Sequence, residues 1–340
     1  MKKFIKFSLL LCLLLIGCTK QETSVVSEKV TSDSSFEIMF IDVGQADATL
    51  VSCDGHHMLV DGGNREDSNV LYTILEKKGI DNLDIVVGTH AHEDHIGGIP
   101  GALEYATADI VLSPVLEYDS KAFDNFKAAA DKNGGLVIPK VDDTYKLGSA
   151  EVQVLAVNDG EDTNNTSIVL RIEYGNTSFM LMGDAEKEVE DIIIERYNNL
   201  ETDVLKLGHH GSNTSSSYHF IREVMPKVAI ISCGKDNEYG HPHEEVISRM
   251  KDANVEVYRT DTMHDIILTS DGNNIIFNTV KPTQPVEQAQ AYILNTSSKK
   301  IHLPTCDGVD KMSAKNKQEY HGYLSELISQ GYEACQKCKP

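Results

Sequence analysis

The chain has 340 residues, 41% of them hydrophobic, enough to bury one substantial core with smaller units beside it. Its net charge of −21 is concentrated in the middle, since residues 1–20 hold four lysines and no acids and residues 291–340 hold seven lysines against five acids. So acidic a body repels polyanions at long range, which argues against tight, nonspecific nucleic-acid binding.

At the start, Lys2, Lys3 and Lys6 precede an almost wholly apolar run from Phe7 to Ile16, followed by Gly17-Cys18. The run is shorter than the roughly 20 residues a membrane span needs, so 1–18 reads as an export signal. A small residue before Cys resembles the bacterial lipoprotein signal, in which cleavage leaves Cys18 lipidated and the protein anchored outside the cytoplasm. Residues 19–35, rich in Ser, Thr, Glu and Lys, read as a flexible tether. No second apolar stretch is long enough to span a bilayer, so the chain is not expected to form a channel.

From residue 36 the periodicity is that of a folded domain. Alternation predicts strands at 36–41, 48–53 and 57–60, with Asp54-Gly55 turning between the last two. Val70, Leu71, Ile74 and Leu75 fall on one face of a helix over 69–78 that Gly79 stops. Further strands are expected at 83–88, 110–112, 152–157, 168–172, 179–182, 204–207, 228–233, 255–258, 266–269 and 275–278, with helices over 186–197 and 244–253. Strands in two groups with helices between them suit an α/β (α+β) two-sheet sandwich flanked by helices. Cys53 and Cys233 adjoin apolar strand-like runs and read as buried thiols. Residues 36–280 form this unit, 281–290, with Pro282 and Pro285, a linker, and 291–340 a small second unit.

The chemistry concentrates in Thr89-His90-Ala91-His92-Glu93-Asp94-His95, which sets three histidines and an aspartate within six positions after an apolar run. Imidazole nitrogens and carboxylate oxygens hold zinc and similar first-row metals, and a turn at a strand end can aim all four at one point. Further segments accompany it in order: Asp42-Val43-Gly44-Gln45-Ala46-Asp47, Leu59-Val60-Asp61-Gly62-Gly63, Met182-Gly183-Asp184, Leu207-Gly208-His209-His210-Gly211-Ser212 and Tyr239-Gly240-His241-Pro242-His243. The set resembles the metallo-β-lactamase superfamily, and within it the metallohydrolase domain of ComEC competence DNA-uptake proteins.

That resemblance implies an αββα sandwich and a ligand set. His90 and His92 would hold a first metal, Asp94 and His95 a second, and Asp184 would bridge them. His210 or its neighbour His209 would complete the second site, with His210 favoured. Asp61 would be a buried carboxylate steadying the histidine loop. Asp42, Gln45 and Asp47 would edge the site as positioning residues. His241 and His243 would donate to a substrate oxyanion or protonate the leaving group. Ser212 has no base assigned to it and reads as a cap or a substrate hydrogen bond. One departure stands out: where many members place a further histidine for the first metal, this chain has Asn164-Asn165-Thr166-Ser167, leaving one or two metals open. Zinc is the expected cation, with manganese the alternative, and it would acidify a bound water towards a pKa of about 7.

Near the C-terminus, His302-x3-Cys306 and Cys335-x2-Cys338 supply two ligand pairs with the spacing of one closed tetrahedral zinc. With Tyr292-Ile293-Leu294-Asn295-Thr296 and Gly331-Tyr332-Glu333-Ala334 before the second pair, the segment is similar to the metal-binding domain of Ada DNA-repair proteins. His302 stands where Ada has its methyl-accepting Cys, so a structural zinc is implied and methyl transfer is not. Lys299, Lys300, Lys315 and Lys317 offer weak DNA contact. The leading expectation is a lipid-anchored, metal-dependent phosphodiesterase acting on DNA. The alternatives are a cell-wall phosphodiesterase, cleaving choline-decorated teichoic acid, and a non-catalytic lipoprotein that binds DNA or wall polymer.

Overall fold

A computed structural model describes residues 36–279, 290–304, 306–322, 327, 330–335, 337 and 338. The expected signal with Cys18, the tether and the linker up to residue 289 lie outside the described residues. Among the described residues no helix is long and apolar enough to cross a membrane.

Strands β1 (Phe36–Phe40), β2 (Thr49–Cys53), β3 (His56–Val60), β4 (Asn82–Val87), β5 (Thr107–Leu112) and β6 (Leu136–Val137) come first. Next are β7 (Thr144–Leu147), β8 (Ala150–Ala156), β9 (Val169–Tyr174), β10 (Thr177–Leu181), β11 (Val204–Lys206), β12 (Val228–Ile231) and β13 (Glu256–Arg259), then β14 (Ile266–Ser270) and β15 (Ile275–Phe277). Pairing sorts them into an eight-stranded sheet, β15-β14-β1-β2-β3-β4-β5-β6, and a seven-stranded sheet, β13-β12-β11-β10-β9-β8-β7. The β2–β3 turn falls on Asp54 and Gly55, both at positive φ (54° and 83°), as a tight hairpin requires.

Alternation along the strands decides what each sheet faces. Phe36, Ile38 and Phe40 of β1 enter a cluster with Val152, Phe179 and Leu181 of the other sheet, while Met39 faces the opposite way. In the second sheet Phe179 and Leu181 point inward and Met180 outward. Helices Ser68–Lys78, Ile99–Tyr105 and Lys121–Ala130 cover the first sheet's outer face with Leu71, Ile99 and Phe126. Helices Lys187–Arg196, Tyr218–Val224 and Glu244–Asp252 cover the second with Val189, Phe220 and Met250. The result is the αββα sandwich. Phe36 stacks on Phe179 with centroids 4.9 Å apart and on Tyr174 at 5.2 Å, tying the sheets together. Phe179→Ala is expected to cost about 3–5 kcal/mol in urea unfolding, since a buried aromatic leaves a cavity its rigid neighbours cannot close.

Polarity places the loops that matter. β3, β4 and β5 run parallel in the first sheet, and β10, β11, β12 and β13 in the second. The segments leaving the carboxyl ends of β3, β4, β10, β11 and β12 meet one another, the edge at which open α/β sheets bind ligands. Cys53 and Cys233 are buried free thiols, as expected.

In the C-terminal segment, β16 (Gln290–Asn295), β17 (Lys300–His302), β18 (Lys317–Gly322) and β19 (Glu333–Ala334) form a sheet in the order β18-β16-β17-β19. Its core is small, comprising Tyr292, Leu294, Ile301, Leu327 and Tyr332.

Candidate metal centre

Chain folding at the strand ends creates the site. After β4, Gly88 packs so tightly that a Cβ would stand 2.8 Å from the Ile96 side chain. The loop then turns through Thr89–Ala91, and His92, in extended conformation, caps the short helix Glu93–Ile96. That turn lies back to back with the loop after β3, where a Cβ on Gly98 would meet the Gly62 carbonyl at 2.0 Å, so no larger residue fits. Asp61, His209 and His210 all adopt left-handed backbone (φ 59°, 49° and 52°), unusual for residues with side chains and typical of strain held at functional sites.

Asp184, buried after β10, is the hub. Its carboxylate lies 3.2 Å from His95 Nε2, 3.8 Å from His90 Nε2, 3.7 Å from His210 Nε2 and 3.8 Å from His209 Nε2. His92 Nδ1 is 3.0 Å from His90 Nε2. Asp94 Oδ2 lies 3.3 Å from His210 Nε2 and 4.0 Å from His95 Nε2, and its side chain remains a third exposed, open to solvent where the others are closed. The structure therefore gathers His90, His92, Asp94, His95, Asp184, His209 and His210, far apart in sequence, around one point. The two neighbouring histidines differ. His210 is buried, with Nδ1 3.0 Å from the Ser232 carbonyl, leaving Nε2 for the cluster. His209 is more exposed, and its Nδ1 meets Glu186 at 3.0 Å.

Behind these groups a second ring of contacts orients them. Asp61 lies 2.8 Å from His95 Nδ1 and accepts from the Thr89 main-chain N–H and hydroxyl, both at 2.8 Å. Asp47 stands 3.5 Å from His210 Nδ1 and forms a buried ion pair with Lys206. Asp42, expected at the edge of the site, instead pairs with His264 at 3.0 Å and accepts nothing from the cluster.

Electrostatics follow from this crowding. Burial opposes charge on His210, but Asp184 and Asp47 outweigh it and push the imidazole up to about 10. Burial likewise disfavours the Asp94 carboxylate, but His95 and His210 hold it at about 2. Burial first, then the neighbouring His210 and His209, brings His241 down to about 4. A cation seated here displaces protons from the imidazoles, so metal uptake releases them.

The donor set fits a divalent cation. His95 Nε2, His210 Nε2, Asp184 Oδ1 and Asp47 Oδ1 are buried and have no hydrogen-bond partner, whereas buried polar atoms normally find one. In the segment where many members place a further histidine, Ser167 Oγ lies behind His90, 3.5 Å from Nδ1, and accepts the Asp184 N–H at 3.1 Å, so it orients these two groups. In the C-terminal segment, the ligand atoms of His302, Cys306, Cys335 and Cys338 all lie within 4.8 Å of one another, a set that fits one tetrahedral metal and is compatible with the Ada-like reading.

His241 and His243 stand beside the cluster. The His241 ring is 5.6 Å from His209 and 6.3 Å from His210, and His243 is 4.9 Å beyond it. Ser212 Oγ is engaged locally with Thr214 at 3.0 Å, and no base faces it. Sequence reasoning missed Lys206 and Glu186. An ionisable residue inside the apolar run Val204-Leu205-Lys206-Leu207 was the available signal for the first.

Residues 41–235 match the metallo-beta-lactamase superfamily. The chain belongs to that superfamily. Its relatives include ComE operon protein 3 of Bacillus subtilis, 34% identical over 67% of this chain and 32% of that protein. Competence protein ComA of Neisseria gonorrhoeae is 29% identical over 65% of this chain and 30% of that protein. The chain thus spans about a third of the length of these relatives. Among solved structures, the metallo-beta-lactamase fold protein YhfI from Bacillus subtilis is 13% identical, with a TM-score of 0.47, over 69% of this chain and 100% of that one. The resemblance to ComEC-type competence proteins is therefore a family relationship within a superfamily of metal-dependent hydrolases, and that fold implies divalent metal binding.

Asp61→Asn is expected to weaken metal affinity about 10–100-fold, as loss of outer partners does. Asparagine tolerates the left-handed backbone, so the change isolates the charge. Metal titration followed by calorimetry checks it.

Proposed function

We propose that this protein is an extracytoplasmic, lipid-anchored phosphodiesterase whose substrate is DNA. The observation that carries the reading is the convergence of His90, His92, Asp94, His95 and His210 on Asp184, in a chain whose relatives are competence proteins. His90 and His92 would hold one cation and Asp94, His95 and His210 another, with Asp184 between them. Bound divalent cations supply Lewis acidity, acidifying water and polarising a phosphoryl oxygen. The rest is done by the chain. Asp61 and the Ser232 carbonyl fix the His95 and His210 rings so that Nε2 faces inward. Lys206 balances the buried Asp47. Asp94, partly exposed, faces the side from which substrate arrives. His241 and His243 present hydrogen-bonding groups next to it. Zinc is the favoured cation, with manganese the alternative. Zinc in the C-terminal four-residue set would be structural, and Cys18 would carry the lipid.

One observation favours a second reading on the same chemistry. A net charge of −21 suits a choline-decorated wall phosphodiester, whose quaternary ammonium groups offset its phosphates, better than the uncompensated polyanion of DNA. The experiment is a substrate panel with the purified full chain and Zn²⁺ or Mn²⁺: single- and double-stranded DNA, bis(p-nitrophenyl) phosphate, a phosphocholine ester and nitrocefin. DNA and the simple diester are expected to be cleaved and nitrocefin spared. Turnover of the phosphocholine ester without DNA would move the assignment to the wall. DNA binding with no turnover of any ester would make the protein a binding module.

A further inference from the structure

Gln45 and His241 are 196 residues apart, and their side chains meet, Gln45 Nε2 lying 3.3 Å from His241 Nδ1. Which atoms donate can be worked out. The Gly234 main-chain N–H points at the Gln45 oxygen at 3.0 Å, and a peptide N–H can only donate. That fixes the amide orientation, with oxygen towards Gly234 and NH₂ towards His241. The two chain segments approach closely, since a Cβ on Gly234 would stand 2.7 Å from the Gln45 main-chain nitrogen. His241 Nδ1 must then accept, so the proton of the neutral ring sits on Nε2. Asn237 clamps the backbone of the same residue, accepting the His241 N–H at 3.0 Å and donating to its carbonyl at 2.6 Å. Among the described residues nothing accepts from Nε2.

We infer that Gln45 is a positioning residue that locks His241 as the Nε2–H tautomer, so that this ring meets an anionic phosphoryl oxygen as a hydrogen-bond donor and not as a base. The donor role rests on the phosphodiesterase reading; the tautomer does not. His243 follows the same rule by other means, because the Asn213 main-chain N–H donates to its Nδ1 at 2.9 Å. Side by side, the two rings offer N–H donors of the kind that stabilise developing oxyanions.

The test begins on the metal-free full chain labelled with ¹⁵N-histidine, where long-range proton–nitrogen correlations separate the tautomers and a His241→Gln variant assigns the signal. Wild type is expected to show a protonated Nε2 and a bare Nδ1. In Gln45→Glu a carboxylate accepts where the amide donated, so Nδ1 becomes protonated. A wild-type ring protonated at Nδ1, or a Gln45→Glu spectrum identical to wild type, overturns the lock. Kinetics on bis(p-nitrophenyl) phosphate with Mn²⁺ then judge the donor role. His241→Gln, which keeps an N–H, should stay within about tenfold of wild-type kcat, whereas His241→Phe should lose about 10²-fold with metal content unchanged. Equal losses in both variants overturn it. A wild type that turns over no phosphodiester sinks the substrate reading, while the ring-nitrogen spectra still decide the part played by Gln45.

Discussion

Replacing Asp184 with alanine is expected to lower turnover of a phosphodiester at least about 10³-fold, because Lewis-acid stabilisation amounts to several kcal/mol and each 1.36 kcal/mol is tenfold in rate. The reason is geometric. Asp184 lies within 4 Å of His90, His95, His209 and His210, so its removal takes away an oxygen that these four imidazoles share. It also leaves His95 and His210, whose charged forms the carboxylate favours against burial, facing each other in a buried space. Metal content should fall together with kcat, while the far-ultraviolet dichroism stays that of a folded sandwich, since the core between the sheets is untouched. Retention of more than a tenth of wild-type turnover would mean that hydrolysis does not run through this centre.

The second large effect is expected in the C-terminal segment. Among the described residues five buried side chains make its main core, too few to hold about 50 residues by apolar burial alone. Binding of zinc to such a set supplies about 10–16 kcal/mol, and where no preformed site exists unfolded, that is folding free energy. Chelation, or Cys306→Ala, is therefore expected to abolish amide-exchange protection in β16–β19 while β1–β15 keep theirs. The Cys335 N–H, which donates to the Ile301 carbonyl at 2.9 Å, is a local reporter. Equal protection with and without metal would show that the four ligand side chains staple nothing.

Much of this was legible in the residues. Strands such as β1, β2 and β10 were legible as short, largely apolar runs, while the sheet each joins and the face each residue takes came only with the fold. The histidine loop was legible because metal ligands are chemically distinctive and close in sequence. Helix Ile99–Tyr105 was hidden by Pro100 and Gly101, which read as breakers. In the fold Pro100 occupies the first turn, where its missing N–H costs nothing, and Gly101 admits Ser68 so closely that a Cβ would meet it at 2.5 Å. Helix Tyr218–Val224 is only seven residues, and packing against the sheet carries it more than any repeat in its sequence, whereas Lys121–Ala130 does show an apolar face in Phe123, Phe126, Ala129 and Ala130 that sequence reasoning missed. The outer contacts were illegible for another reason. Lys206 with Asp47 and Gln45 with His241 are pairs 159 and 196 residues apart, joined only by the fold. Asp42 carried the same motif as Asp47 yet turns away to His264, since the loop bends through Gly44, at φ 68°, between them.

The loops after β3 and β4 belong to one half of the sandwich, and those after β10 and β11 to the other. An ion held by His90 and His95 on one side and by Asp184 and His210 on the other is thus a latch between two halves of the molecule. Each half by itself carries an incomplete set of claws. Activity then doubles as proof of assembly, because a misfolded chain, with its layers out of register, would have nowhere to seat the cation.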